Sequence, residues 1–197
     1  MNKRNTEMKN AAVSDDLTLE IPSEIHRQEY QRIMERWEQL EDNIQPELMR
    51  RGNTPYEKWL EYCEADRTTG SMLSTHVPCT LYFAINRQRE IVGSIVLNHA
   101  DTKRGHLHAG IVPWCRGKGY GTTMLSRALI ECKRRGIYRV HICPNSKENI
   151  SAIHTILKNG GYLLEEFIDD ERIIQRYEIL LDEVSLADFS KLATNIY

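Results

Sequence analysis

Apolar residues recur with helical spacing through the first third of the chain. A short alternating stretch over residues 17–21 predicts a strand. The apolar positions of residues 23–42 then fall roughly on one face of a helix, and Ser23 is placed to cap that helix. Thr54 followed by Pro55 has the pattern of a cap and a first helical residue, and it predicts a second helix. This part of the chain is therefore expected to form one strand and two helices.

From residue 77 onward the apolar positions mostly alternate, which is typical of strands, and two helical segments interrupt this pattern. The first of these helices follows a cluster of glycines and is ended by Gly136. The predicted strands cover residues 77–86, 90–100, 105–112, 138–143, 161–168 and 171–180, and the predicted helices cover residues 119–135 and 148–160.

This order of elements predicts an α/β (α+β) fold. We expect a mixed, mostly antiparallel central sheet of about seven strands, flanked by about four helices. The strand–helix–strand unit over residues 105–143 predicts one parallel pair. A chain of 197 residues is long enough for one well-cored domain and short for two. The expected division is a flexible N-terminal tail over residues 1–15, a single domain over residues 16–181, and a C-terminal tail or short helix over residues 182–197.

Composition excludes several classes of function. A net charge of −2 and an isoelectric point near 6.4 give no support for nucleic-acid binding. No apolar run approaches the roughly 20 residues of a membrane span, so no membrane partner is expected. The five cysteines are dispersed, which indicates reduced thiols and a cytoplasmic location. No group of His and Cys residues has the spacing of a zinc site, so no metal is expected.

Three glycines stand at alternate positions between a predicted strand and a predicted helix: Gly117, Gly119 and Gly121. Glycine lets a ligand approach the backbone, and a helix N-terminus offers unpaired N–H groups with a partial positive charge. This arrangement is typical of phosphate binding. A Walker A loop would need glycine in place of Val112 and Ser or Thr in place of Gly119, and the glycine spacing of a Rossmann loop also differs. A glycine-rich turn without a ligand is the alternative.

The stretch RGKGYG, residues 116–121, matches the R/Q-x-x-G-x-G/A signature of the GNAT superfamily of N-acetyltransferases. The stretch ENISAIHTILKNGGY, residues 148–162, resembles the second cofactor motif of that superfamily. Residues 77–180 resemble in particular an uncharacterised bacterial branch of predicted GNAT acetyltransferases. The resemblance implies acetyl-CoA as the co-substrate, and it implies that the parallel pair of strands is splayed to admit the pantetheine arm.

The resemblance also implies individual contacts with acetyl-CoA. The pantetheine amides would pair with the main chain of Ile111 and Val112, as an added strand pairs with a sheet edge. Asn149 matches the family asparagine that contacts the pantetheine arm, although a helix N-cap is an equally good interpretation. The pyrophosphate would be held by a run of backbone N–H groups, those of Arg116, Gly117, Lys118, Gly119, Tyr120, Gly121 and Thr122.

Acetyl transfer needs a neutral amine, and deprotonating a lysine-like amine at pH 7 costs about 4.6 kcal/mol. GNAT enzymes often place a general base on the strand before the loop. Here that strand carries His106 and His108, which share one face because they are two residues apart. A structural or surface pair is the alternative, and the glutamates at 165 and 166 are other candidate bases. The usual family acid is a tyrosine at the position of Ile156, so the acid is unassigned, while Cys115 offers an acyl-cysteine alternative.

Acceptors in this superfamily bind largely against the first two helices. Residues 20–66 hold twelve acidic and six basic residues, a local charge of −6 that favours a cationic amine. The main prediction is an acetyl-CoA-dependent N-acetyltransferase that transfers acetyl directly to a primary amine of a small molecule or peptide. A catalytically silent acyl-CoA-binding regulatory module is the alternative. We expect a monomer or homodimer.

Overall fold

The computed structural model describes residues 17–40, 42–69, 77–144 and 149–182. The predicted N-terminal tail, residues 1–15, lies outside the described residues, as does the predicted C-terminal tail, residues 182–197, apart from its first residue. The boundaries of the single domain therefore stay predictions. The described residues share one hydrophobic core, to which all four α-helices and strands from the first and second halves of the chain contribute.

The predicted order of strands and helices is confirmed. The first half holds β1 (Thr18–Glu20), α1 (Arg27–Glu38), α2 (Tyr56–Thr68), β2 (Cys79–Ile85), β3 (Ile91–Asn98) and β4 (Leu107–Ile111). The second half holds α3 (Tyr120–Arg134), β5 (Arg139–Ile142), α4 (Ile150–Lys158), β6 (Tyr162–Asp169) and β7 (Arg172–Leu180).

The strands form two antiparallel sheets, where the sequence predicted one mixed sheet. One sheet has the order β1-β2-β3-β4 and the other has the order β5-β7-β6. At the junction, the His106 N–H donates to the carbonyl oxygen of His141 at 2.7 Å, and Gly105 and Ile142 form an isolated antiparallel bridge. A cleft separates β4 from β5. The two strands therefore splay so widely that, within the described part of the chain, they do not pair as neighbouring strands of one sheet.

Helices α1 and α2 cover one face of the four-stranded sheet. Tyr30 of α1 and Trp59 of α2 stack on each other and on Phe83 of β2, with ring centroids 4.9 to 6.2 Å apart. The strand register shows which positions of β4 point to this same face. Phe83 lies opposite Ser94 of β3, which lies opposite Gly110 of β4. Alternation along β4 places His108 on this face as well.

Candidate active site

A cleft of about 900 Å³ opens where the two sheets diverge. Strand β4 and the end of β5 form its floor, and α1 with the segment that follows it forms one wall. The loop before α3 and the helix α4 form the opposite wall. The cleft therefore joins the glycine loop to the face on which the first two helices pack.

The glycine loop has the geometry of an anion site. Gly117 and Gly119 have φ of +73° and +90°, a region that side chains with a Cβ rarely adopt. Gly119 is the N-cap of α3. Among the hydrogen bonds of the described residues, none uses the N–H groups of residues 117–121. Five unpaired N–H groups at a helix N-terminus fit the pyrophosphate of a coenzyme A.

The two basic side chains of the loop do not converge on that site. The Arg116 guanidinium donates from Nε to the carbonyl oxygen of Ile111 at 3.1 Å and pairs with Asp42 at 2.6 Å. Lys118 is exposed and is not among the residues that line the cleft. The anion site is therefore built from main-chain groups, and the Arg116–Asp42 pair links the loop to the segment after α1.

The outer edge of β4 can pair with an extended ligand, but through different residues than predicted. Val112 is fully buried, and its N–H donates to the Val92 carbonyl oxygen at 3.0 Å. Hydrogen-bonded positions alternate along an antiparallel pair, so the main-chain groups of Ala109 and Ile111 point away from β3. Both residues line the cleft. Ile111 keeps its predicted place, Val112 does not contact the cleft, and sequence reasoning missed Ala109.

His108 lies in the cleft, on the face of the sheet that α1 covers. Its side chain is half-buried, and burial, with a smaller effect of Arg104, lowers the pKa of its imidazole. No hydrogen bond to His108 is recorded within the described residues. A neutral imidazole with a free nitrogen, placed on the cleft floor, can accept a proton.

His106 has a different environment, although it is two residues away. It is 5% exposed and is not among the residues that line the cleft. Its Nδ1 accepts a hydrogen bond from the His141 N–H at 3.1 Å, and burial lowers its pKa. His106 precedes the first residue of β4 and joins the two sheets, so it has a structural position.

His106, His141 and Asp101 offer three possible metal-ligand atoms within 4.8 Å of one another. However, the guanidinium of Arg176 donates to Asp101 and lies 3.0 Å from Nδ1 of His141. A cation placed among these three residues would have to displace that guanidinium.

Helix α4 contributes Ile156 to the cleft, and its N-cap, Asn149, lines the cleft as well. The Asn149 side chain accepts a hydrogen bond from the Ala152 N–H at 3.1 Å, so it caps the helix while it also lines the cleft. Ile156 is 3% exposed and cannot donate a proton. His154 of the same helix is exposed at the rim.

The remaining alternatives from the sequence find little support in the geometry. Burial raises the pKa of the Cys115 thiol, which opposes the formation of the thiolate that an acyl-cysteine step needs. Glu165 and Glu166 are exposed on β6, and neither lines the cleft. The Glu166 side chain accepts a hydrogen bond from Gln175 at 2.8 Å.

The acidic residues of the first two helices also lie outside the cleft. Most carboxylates there pair with basic side chains on the surface, as in Glu29–Arg32 and Glu61–Lys58. Among the described residues, the lining of the cleft contains no Asp or Glu. The negative charge on which the expected cationic acceptor rested is therefore not directed at this cleft.

Sequence reasoning missed one wall of the cleft, which is formed by Trp37, Asn43 and Gln45. One signal was available, because glycine inside a strand often marks the close approach of another backbone. A Cβ at Gly110 would lie 2.0 Å from the carbonyl oxygen of Gln45. The segment after α1 thus rests directly on β4 beside His108.

A family model for the acetyltransferase (GNAT) family matches residues 27–162 of the chain. This match covers more than half of the sequence, and the two sheets with the loop-and-edge cleft have the expected arrangement. The chain therefore belongs to the GNAT family of acetyltransferases, and it is an acyltransferase that transfers acetyl to amines. None of the helices in the described residues is long and apolar enough to cross a membrane.

Several solved structures are similar in fold. A variant of the spermidine N-acetyltransferase SpeG from Vibrio cholerae is 16% identical with a TM-score of 0.59, covering 84% of this chain and 94% of that chain. The microcin self-immunity acetyltransferase MccE, in complex with acetyl-CoA and AMP, is 16% identical with a TM-score of 0.60, covering 86% and 94%. The ribosomal-protein alpha-N-acetyltransferase RimL is 16% identical with a TM-score of 0.58, covering 86% and 92%. A search of curated protein sequences gave no match.

Proposed function

We propose that the protein uses acetyl-CoA and transfers the acetyl group directly to a primary amine of a small molecule or peptide, with His108 as the general base. The observation that carries this proposal is the half-buried imidazole of His108 on the floor of the same cleft that the glycine loop, with its unpaired N–H groups, also lines. In this proposal the protein is a cytoplasmic bacterial enzyme that works as a monomer or homodimer.

The residues around the loop would hold acetyl-CoA, the acetyl donor. The N–H groups of residues 117–121 would bind the pyrophosphate, and the outward main-chain groups of Ala109 and Ile111 would pair with the pantetheine amides. The fold neighbour MccE was solved with acetyl-CoA, which supports this choice of donor. Since β4 continues from Ile111 back towards His108, a pantetheine arm along this edge would bring the thioester near the imidazole.

His108 would then accept the proton that the amine must lose. Amine nitrogen attacks the thioester carbonyl, the C–N bond forms, and the C–S bond breaks as coenzyme A leaves as a thiolate. The lowered pKa of His108 keeps the imidazole neutral at pH 7, so it can act without prior deprotonation. Ile156 cannot protonate the thiolate, which can take its proton from water.

The experiment is an amine-dependent thiol-release assay on the full chain with acetyl-CoA, using His108→Gln and the matched control His106→Gln. We expect His108→Gln to lower kcat about a hundredfold, within the usual range for a general base, and to leave the Kd for coenzyme A unchanged. Beside the limb that the amine's own ionisation produces, the wild-type kcat/KM profile should have an acid limb below the ordinary histidine pKa near 6.5. This second limb should vanish in His108→Gln.

His106→Gln should retain this acid limb, because the residue does not line the cleft. Coenzyme A binding with no amine-dependent turnover across peptides, amino acids and polyamines would identify a silent binding module and reject the proposal. An unchanged pH profile in His108→Gln would remove this residue as the base.

A further inference from the structure

The indole N–H of Trp37 has no hydrogen-bond partner. Among the residues that the structure describes, it is the one buried side-chain nitrogen or oxygen atom of which this is true. The Trp37 side chain is 0% exposed and contributes to the lining of the cleft. Trp59 is equally buried, but its indole N–H donates to the Leu48 carbonyl oxygen at 3.2 Å. A buried donor without a partner is unfavourable and calls for a specific explanation.

Trp37 belongs to the wall of the cleft opposite the glycine loop. The residue lies on α1, which packs on the same face of the sheet as His108. Its neighbours in this wall are Asn43 and Gln45, whereas the donor site is formed by the loop before α3 and the edge of β4. Residues 42–46 have no regular secondary structure, so a small shift of this wall can expose the indole when an acceptor enters.

An indole N–H can only donate a hydrogen bond, so its partner must offer a lone pair. Protonated amines have none, and a polyamine carries no other polar group. Among the described residues, the lining of the cleft also holds no carboxylate that would attract a polycation, and it includes the cationic Lys158. A carbonyl or carboxylate oxygen satisfies both conditions.

We propose that the Trp37 N–H donates to an oxygen of the acceptor, so that the preferred acceptor is an amine that also carries a carbonyl or carboxylate oxygen, as amino acids and peptides do. This inference rests on the proposed function. It separates this chain from an enzyme for polyamines, for which the Trp37 N–H would stay unpaired.

The test compares alaninamide with the isosteric amine in which an isopropyl group replaces the carboxamide, and with spermidine. Wild-type protein should have the highest kcat/KM for alaninamide. Trp37→Phe should lose roughly three- to tenfold in kcat/KM for alaninamide, mainly through KM, and should change little for the isosteric amine. The Kd for coenzyme A should be unchanged. The control Trp59→Phe removes an equally buried indole outside the cleft and should keep the wild-type selectivity.

A second measurement needs no substitution and is independent of how well the variant folds. In ¹⁵N-labelled wild type saturated with coenzyme A, the Trp37 indole resonance should move downfield on titration with alaninamide, while the Trp59 resonance stays in place. The inference is overturned if Trp37→Phe keeps the wild-type selectivity, if wild type prefers spermidine, or if the Trp37 resonance responds to coenzyme A alone. Absence of turnover by wild type with every amine would instead reject the proposed function.

Discussion

Replacing single glycines of the loop can distinguish two possible contributions to coenzyme A binding: the left-handed backbone conformation and the free space left by the missing side chain. Gly119 has φ of +90° at the N-cap of α3, and alanine in the left-handed region costs roughly 1–2 kcal/mol. Gly121, inside the first turn, does not have a positive φ. A Cβ there would meet Thr155 Oγ1 at 3.5 Å and Ile111 Cγ1 at 3.7 Å, which are ordinary contacts.

The two alanine variants should therefore behave differently towards coenzyme A. In Gly119→Ala the backbone can relieve its strain only by turning away from this φ, which turns the N–H groups of residues 117–121 out of their common direction. If the full 1–2 kcal/mol must be supplied on binding, the Kd for coenzyme A rises roughly five- to thirtyfold. Gly121→Ala should change the Kd less than about twofold, since alanine favours the helix.

Isothermal titration with coenzyme A measures both constants, and thermal unfolding without ligand shows whether either variant is destabilised. A Gly119→Ala protein that binds coenzyme A as tightly as wild type would refute the argument that the left-handed loop forms the anion site. Equal weakening in both variants would indicate that free space, and not backbone direction, governs binding.

Two further substitutions test contacts that support the fold around the cleft. Gly110→Ala places a Cβ 2.0 Å from the Gln45 carbonyl oxygen, so it should lower the free energy of unfolding by about 1–3 kcal/mol. It should also raise the KM for the acceptor more than the Kd for coenzyme A. Chemical denaturation measures the first effect and kinetics with titration the second, and a variant as stable as wild type would contradict the contact. Glu178→Gln removes a carboxylate whose pKa is held at about 2, below its ordinary 4.5, by Arg139 and Tyr162. The ionised carboxylate stabilises the fold above about pH 4.5, and this stabilisation is lost as the pH falls towards 2. Urea unfolding across this range should therefore show that the free energy of unfolding decreases less steeply with falling pH in Glu178→Gln than in wild type. The same pH dependence in both proteins would contradict the assignment.

Much of the fold could be predicted from the sequence because local patterns determine each element. Alternating and helical spacings indicated all seven strands and all four α-helices of the described residues in their order. The glycine loop was also predictable, because closely spaced glycines before a helix indicate a backbone with positive φ, and Gly117 and Gly119 both have it. The division into two sheets was not, because the pairing of β4 and β5 depends on contacts between distant residues.

The roles of individual side chains were harder to predict. Alternation placed His106 and His108 on one face, but β4 begins only at Leu107, so the strand rule did not govern His106. Val112 was expected to contact the cofactor, yet the phase of the hydrogen bonds along β4 directs its N–H to β3. The wall formed by Trp37 and its neighbours carries no motif, and only tertiary packing brings it to the cleft.

The gap between the sheets creates two strand edges inside the protein, and unpaired edges ordinarily invite association with other chains. Here both edges are short: β4 has five residues and β5 has four. Each is followed after one further residue by a proline, Pro113 and Pro144, which lacks the N–H that a growing ladder would need. The two edges that border the proposed substrate cleft are therefore too short to template aggregation, so the protein can keep them unpaired between rounds of catalysis.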